Sequence, residues 1–341
     1  MNIKKISYIG LDIGGAHLKA IGLNEKKKII FAEQIKCPVW KGTDVLIDKL
    51  KMFKNLNSDA LMGITMTGEL CDNFTNRKIG VNKLIDCTQK IKCRKFFFTN
   101  NNKNIFKKKP FYKQVASMNW LATAEFISKR ITNGLIIDFG STTIDLILIK
   151  NKTCANIFFD DFNRINNSEL IYSGLTRTPI FGITNQITIK KKVYNIIPEL
   201  FSNTADLYRA LKILPDGLDL YESSDGTNKS RSNSLRRVAR NFGLDYSKNN
   251  KSLISKLCKK LVSIQLNYVY FKINEIFSKN NFSNKTPIIL CGIGKNIIKP
   301  NKKKFKVIDF EDLLYVNSKK NIYASYYAPA TSCALLISEL K

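Results

Sequence analysis

The chain has 341 residues, 44% hydrophobic and 24% charged, with a formal net charge of +29. That length and apolar content suit a globular protein of two lobes, and no apolar run is long enough to cross a bilayer. The basic N-terminus enters a strand pattern at once rather than a secretory core, which gives a soluble, cytoplasmic reading; one histidine and no Cys-x-x-Cys pair among eight cysteines exclude a structural zinc site.

Residues 6–12, 17–23 and 28–35 read as three strands, with a break at Asp12-Ile13-Gly14-Gly15-Ala16. A helix over 43–55 follows, with Thr43 as its N-cap, and then a fully apolar, buried strand over 60–65. Residues 77–91 read as helix, 95–99 as strand and 101–109 as a polar surface loop. One helix over 114–130 carries Ala116, Trp120, Ala124 and Ile127 on a single face. A second strand-turn-strand unit opens at Leu135 and runs through Asp138, Gly140 and Asp145. Residues 160–235 mix turn clusters without one period. A helix over 250–278, a buried strand over 287–291 and a helix over 329–340 complete an alternating α/β pattern.

The lysine excess is spread along the chain, as in Lys26-Lys27-Lys28, Lys107-Lys108-Lys109 and Lys190-Lys191-Lys192. No basic run is interleaved with aromatic residues, which argues against nucleic acid as the main partner. The charge still favours capture of a small diphosphorylated anion.

The informative feature is an internal repeat. Asp12-Ile13-Gly14-Gly15-Ala16-His17-Leu18-Lys19 lies over Asp138-Phe139-Gly140-Ser141-Thr142-Thr143-Ile144-Asp145. Each copy has an apolar strand, a terminal aspartate, a glycine-containing turn of small residues and another apolar strand. Glycine lets backbone N–H groups approach a phosphate closely, and hydroxyl residues add donors without bulk. An aspartate before such a turn suits Mg²⁺ held through water beside the phosphate. One Gly-rich hairpin is an ordinary turn; two copies with equivalent aspartates make a phosphate-handling pair.

This pair resembles the two phosphate motifs of the actin-like ATPase, sugar-kinase and Hsp70 superfamily. The resemblance implies a two-lobed α/β, ribonuclease H-like fold with duplicated β-hairpin phosphate loops and a central cleft. Residues 1–130 would form the first lobe and 131–341 the second, with a substrate-region insertion near 160–250. The third motif of that superfamily is matched by 287–294, with Cys291-Gly292 in place of its usual glycine pair.

Further segments narrow the resemblance: Met66-Thr67-Gly68-Glu69-Leu70-Cys71-Asp72, the stretch 116–124, Tyr172-Ser173-Gly174-Leu175-Thr176-Arg177-Thr178-Pro179, residues 199–206 and Ser224-Asp225-Gly226. Together they resemble hydantoinase/oxoprolinase-related proteins linked to tetrahydromethanopterin-dependent C1 transfer. Two departures are His17, where asparagine is expected, and Ser223-Ser224-Asp225-Gly226, where Thr-Ala-Asp-Gly is expected. Members in methanofuran biosynthesis join an aminomethylfuran-methyl diphosphate to the phenol of γ-glutamyltyramine and release pyrophosphate. The resemblance implies Mg²⁺ at Asp12 and Asp138, and phosphate at Gly14, Gly15, Ala16, Lys19, Gly140, Ser141, Thr142 and Thr143. It implies a phenolic amine substrate, with a tyramine or tyrosine core, near Tyr172, Arg177, Thr178 and Asp225. Arg177 suits a forked contact to phosphate or to the glutamyl carboxylate, and Glu69 or Asp206 is the candidate proton acceptor. Two other readings are an ATP-dependent kinase or hydrolase of the superfamily and a non-catalytic basic nucleic-acid-binding protein.

Overall fold

The computed structural model describes residues 5–283, 285–300, 305–315 and 323–340. Its first sheet is built from β1 (Tyr8–Ile13), β2 (His17–Leu23) and β3 (Ile29–Lys36), followed by α1 (Thr43–Leu50), β4 (Leu61–Met66), α2 (Arg77–Thr88), β5 (Arg94–Phe98) and β6 (Phe106–Lys107). Two helices follow, α3 (Tyr112–Val115) and α4 (Asn119–Ser128). The second sheet begins with β7 (Gly134–Phe139), β8 (Ile144–Lys150) and β9 (Thr153–Cys154), then α5 (Asp161–Asn166) and β10 (Leu170–Ile171). A separate hairpin, β11 (Gln186–Ile189) and β12 (Lys192–Asn195), leads to α6 (Thr204–Ala210), α7 (Arg231–Arg240) and the long α8 (Lys251–Lys279). The chain then forms β13 (Ile288–Cys291), β14 (Val307–Asp309) and α9 (Ala328–Ile337).

The sheets share a plan. Strand order is β3-β2-β1-β4-β5-β6 in one and β10-β8-β7-β13-β14 in the other, with β9 beside β8. In each, the first strand of a hairpin pairs antiparallel with its second strand and parallel with a later one, β1 with β4 and β7 with β13. A strand in that position is covered on both faces, which explains the unbroken apolar runs; β7 is buried throughout. Helix α9, last in the chain, lies on the first sheet. A Cβ on Gly10 of β1 would stand 1.8 Å from the Ala330 carbonyl oxygen, so glycine is what lets the α9 backbone touch the strand.

Three local expectations change. The helix expected over 114–130 is two helices, because Ser117 between them takes a left-handed φ of 55°, with its hydroxyl donating to the buried Glu69 carboxylate at 2.9 Å. The N-cap of α1 is Gly42 at φ 129°, and Thr43 is the first helical residue. The polar loop over 101–109 contains β6, because Phe106 is buried edge-on to Phe98. Helices α6 and α7 are tied by ions: Arg237, fully buried, pairs with Asp206 at 2.7 Å and with Asp225 at 3.1 Å.

Candidate functional site

The two repeats close their turns with the same hydrogen bond. Gly14 N–H donates to the His17 carbonyl at 3.0 Å, and Gly140 N–H to the Thr143 carbonyl at 2.9 Å. The strand registers correspond as well, with Asp12 opposite Lys19 and Asp138 opposite Asp145. Carbonyls of both turns are tied to flanking chain. Gly15 O accepts from Val39 N–H and Ala16 O from Cys37 N–H, each at 2.9 Å; Ser141 O accepts from the N–H groups of Thr176 and Arg177, each at 3.1 Å. The N–H groups of Gly15, Ala16, Ser141 and Thr142, by contrast, donate to no described residue. Both turns line one cleft of about 260 Å³. Successive free amides of this kind form a concave seat for an anion.

Asp12, Lys19, Asp138 and Asp145 line the same cleft. Burial pushes Asp12 up to about 6, against the pull of Lys19 and the Asn119 amide. Burial pushes Asp138 up to about 7, with Asp145 and Asp12 adding to it and Lys19 opposing. Asp145 is also raised by burial, although Arg164 sits 3.0 Å away. Asp12 Oδ1 is buried with no hydrogen-bond partner among the described residues. Desolvated carboxylates of this sort gain from a cation. Among the described residues no three His, Cys, Asp or Glu side chains enclose an ion by themselves. The donor set fits Mg²⁺, a hard ion that keeps several waters and takes one or two carboxylates with substrate phosphate oxygens.

Arg177 and Tyr221 bracket the turns. The Arg177 guanidinium lies 5.1 Å from the ring centres of both Trp40 and Tyr221, and those two rings stack at 5.6 Å. The Tyr221 hydroxyl donates to the Ala16 carbonyl. The segment before α7 is thereby fastened to the first turn, while Arg177 hangs from the second. His17 meets Tyr221 edge-on at 5.2 Å. Burial, with Lys19 and Arg177 nearby, lowers its pKa to about 3, so the ring is neutral. Behind Asp138, Gly292 adopts φ +81°, and a Cβ there would fall 2.4 Å from the Asp138 carboxylate. The segment over 287–294 therefore backs the aspartate rather than lining the cleft.

Of the residues singled out in the sequence, Asp12, Gly14, Gly15, Ala16, Lys19, Asp138, Gly140, Ser141, Thr142, Thr143, Tyr172 and Arg177 come together on this cleft. Four do not line it. Glu69 is buried behind Ser117, which does. Asp206 caps α6 and holds Arg237, and Asp225 holds Arg237 and Thr227. Thr178 accepts from Gly174 N–H at 2.8 Å. Conversely, Asn119, Trp120, Arg164, Trp40 and Ser117 line the cleft without having been assigned there. Asn119 opens α4 just after the Ser117 break, which the apolar pattern of 114–130 hides. Arg164 carries no local signal: its role depends on stacking 4.0 Å over Trp120 while pairing with Asp145.

A model of the hydantoinase/oxoprolinase family matches residues 61–311. The chain is 30% identical to (4-{4-[2-(gamma-L-glutamylamino)ethyl]phenoxymethyl}furan-2-yl)methanamine synthase of Methanocaldococcus jannaschii, over 90% of this chain and 92% of the relative. It is 24% identical to the synthase of the same name from Methanococcus vannielii, over 63% of this chain and 95% of that one. Among solved structures, nucleotide-free acetone carboxylase superposes with a TM-score of 0.57 at 9% identity, covering 97% of this chain and 70% of that chain, a likeness of fold.

Proposed function

The chain belongs to the hydantoinase/oxoprolinase family, and we propose that it is a transferase of methanofuran biosynthesis that makes an aryl ether. An aminomethylfuran-methyl diphosphate and the phenol of γ-glutamyltyramine are joined, and pyrophosphate is released. The product is the compound in the names of both synthases. The observation that carries this reading is the pair of turns with free amides, aimed at one cleft beside two desolvated aspartates.

The bond that breaks joins the furan-bearing methylene to the diphosphate oxygen, and its electron pair leaves with pyrophosphate. The furan ring delocalises the cation that develops on the methylene. The amides of Gly15, Ala16, Ser141 and Thr142, with Lys19 and Arg177, receive the charge that grows on the leaving group. Asp12 and Asp138 would hold Mg²⁺, which when bound supplies Lewis-acid neutralisation of the diphosphate. The phenol oxygen then forms the new C–O bond. Its proton passes to the Ser117 hydroxyl, which hands its own to Glu69. Burial raises the Glu69 pKa, which makes that carboxylate a better base near neutrality. Asp206 is saturated by Arg237, Arg209 and Ser234 and has no part in the step.

The test is pyrophosphate release by purified protein given Mg²⁺ and both substrates, without ATP. Release that requires both substrates supports the transferase. ATP turnover with no such release contradicts it and moves the chain to the kinase or hydrolase class.

A further inference from the structure

A second hollow, of about 610 Å³, adjoins the cleft and is lined by Asn76, Arg77, Lys78, Tyr112, Lys113, Ala116, Phe159 and Asp160. It meets the first cleft at three places. Ala116 precedes Ser117, Asp160 precedes Asp161, and Phe159 stacks on Trp120 at 6.2 Å and 29°; Ser117, Asp161 and Trp120 all line the first cleft. Immediate chain neighbours and one ring pair therefore line the cleft and this hollow.

The charges there are unspent. The side chains of Arg77, Lys78 and Lys113 make no hydrogen bond or ion pair to any described residue. Arg77 is partly buried, and its charge is felt at Glu69, Asp160, Asp161 and Tyr172. A half-buried guanidinium without a partner is a seat for a carboxylate, which it grips with two parallel hydrogen bonds. The two Asp160 oxygens take the Asn163 backbone and side-chain N–H groups at 3.0 and 2.9 Å. Each keeps a lone pair for another donor. A cation whose charge is felt at the Asp160 carboxylate, in a hollow that Tyr112 and Phe159 also line, matches a zwitterion on an apolar arm.

We infer that this hollow binds the α-amino acid end of the acceptor, Arg77 holding the α-carboxylate and Asp160 facing the α-ammonium. The assignment rests on the acceptor being a γ-glutamyl amide, as proposed above. In such a molecule a ring, an ethyl bridge, an amide and two methylenes separate the reacting oxygen from the amino acid. The zwitterion must then lie outside the cleft that holds the phenol. Arg177 is fixed between the two turns by Trp40 and Tyr221 and is left to the diphosphate.

The experiment compares γ-glutamyltyramine with tyramine, which lacks the zwitterion, on wild-type protein and on Arg77→Ala and Arg77→Lys. Calorimetric binding and pyrophosphate release are both measured, and thermal melting checks the fold. Arg77→Ala should weaken γ-glutamyltyramine about 10- to 100-fold, in Kd and KM, with kcat, the KM for the diphosphate and tyramine binding unchanged. Arg77→Lys should recover part of the loss. Equal weakening of both acceptors, or of neither, in a protein that releases pyrophosphate overturns the inference alone. Arg77-dependent binding of γ-glutamyltyramine without turnover upholds the subsite and overturns the proposed reaction. Absence of both binding and turnover in wild type overturns the two together.

Discussion

The two hairpins are alike in backbone and differ in the residue that faces each aspartate. Each closes on the same glycine, offers the same pair of free amides and ends its first strand with an aspartate. Across the register, however, Asp12 faces Lys19 while Asp138 faces Asp145, whose charge is held by the buried Arg164. Burial raises both aspartates, Asp12 to about 6 and Asp138 to about 7, with Lys19 opposing and Asp145 adding to each. In the proposed reaction duplication supplies a symmetric cradle for two phosphates, while the divergence at one register position puts a lysine in the first hairpin and an arginine-held carboxylate in the second. A diphosphate with a divalent ion needs that combination.

The largest expected effect breaks the second hairpin. Arg164→Met leaves Asp145 buried without its partner and should cost about 3–5 kcal/mol of stability, measured by urea unfolding; a neutral outcome would mean that the charge difference between the hairpins is not what Arg164 maintains. Asp12→Asn and Asp138→Asn should each lower kcat for pyrophosphate release about 100- to 1000-fold while melting no lower than wild type. Loss in one variant only would show that a single hairpin carries the chemistry.

A titration of metal-free protein sharpens the same contrast. Both aspartates have an ordinary value of 3.8 and hold their protons to about 6 and about 7 in the fold, so the native state binds more protons than the unfolded chain across that window. Their contribution is therefore fully favourable below about pH 4 and is lost as pH rises toward 7. Asp138→Asn should flatten the upper part of that decline, and Asp12→Asn the lower, in a pH series of urea midpoints. The smallest effect expected is that of Tyr221→Phe. Removing the hydroxyl that holds the Ala16 carbonyl should weaken pyrophosphate binding several-fold, about 0.5–1.5 kcal/mol, with the second turn unchanged.

The turns and their aspartates were legible because the repeat is local: eight consecutive residues in each copy encode strand, turn and strand. The register pairs Asp12–Lys19 and Asp138–Asp145 follow from that alignment alone. What sequence could not convey depends on distant chain. Tyr221 reaches Ala16 across 205 positions, and Arg164 finds Trp120 and Asp145 through a short helix in a segment without period. Asp206 and Asp225 lie in segments that resemble the family, yet in space they converge on Arg237, whose helix gave no sign of it. The break before α4 was masked by its apolar face, since a serine with positive φ is set by a partner, Glu69, rather than by its own preference.

The most direct test of the account is an amide spectrum of ¹⁵N-labelled protein recorded during titration with Mg²⁺ and pyrophosphate. The account predicts that the Gly15, Ala16, Ser141 and Thr142 resonances shift together with one apparent Kd, and that Asp138→Asn weakens both sets. Shifts confined to one turn, or absent from both while pyrophosphate still binds, would contradict it.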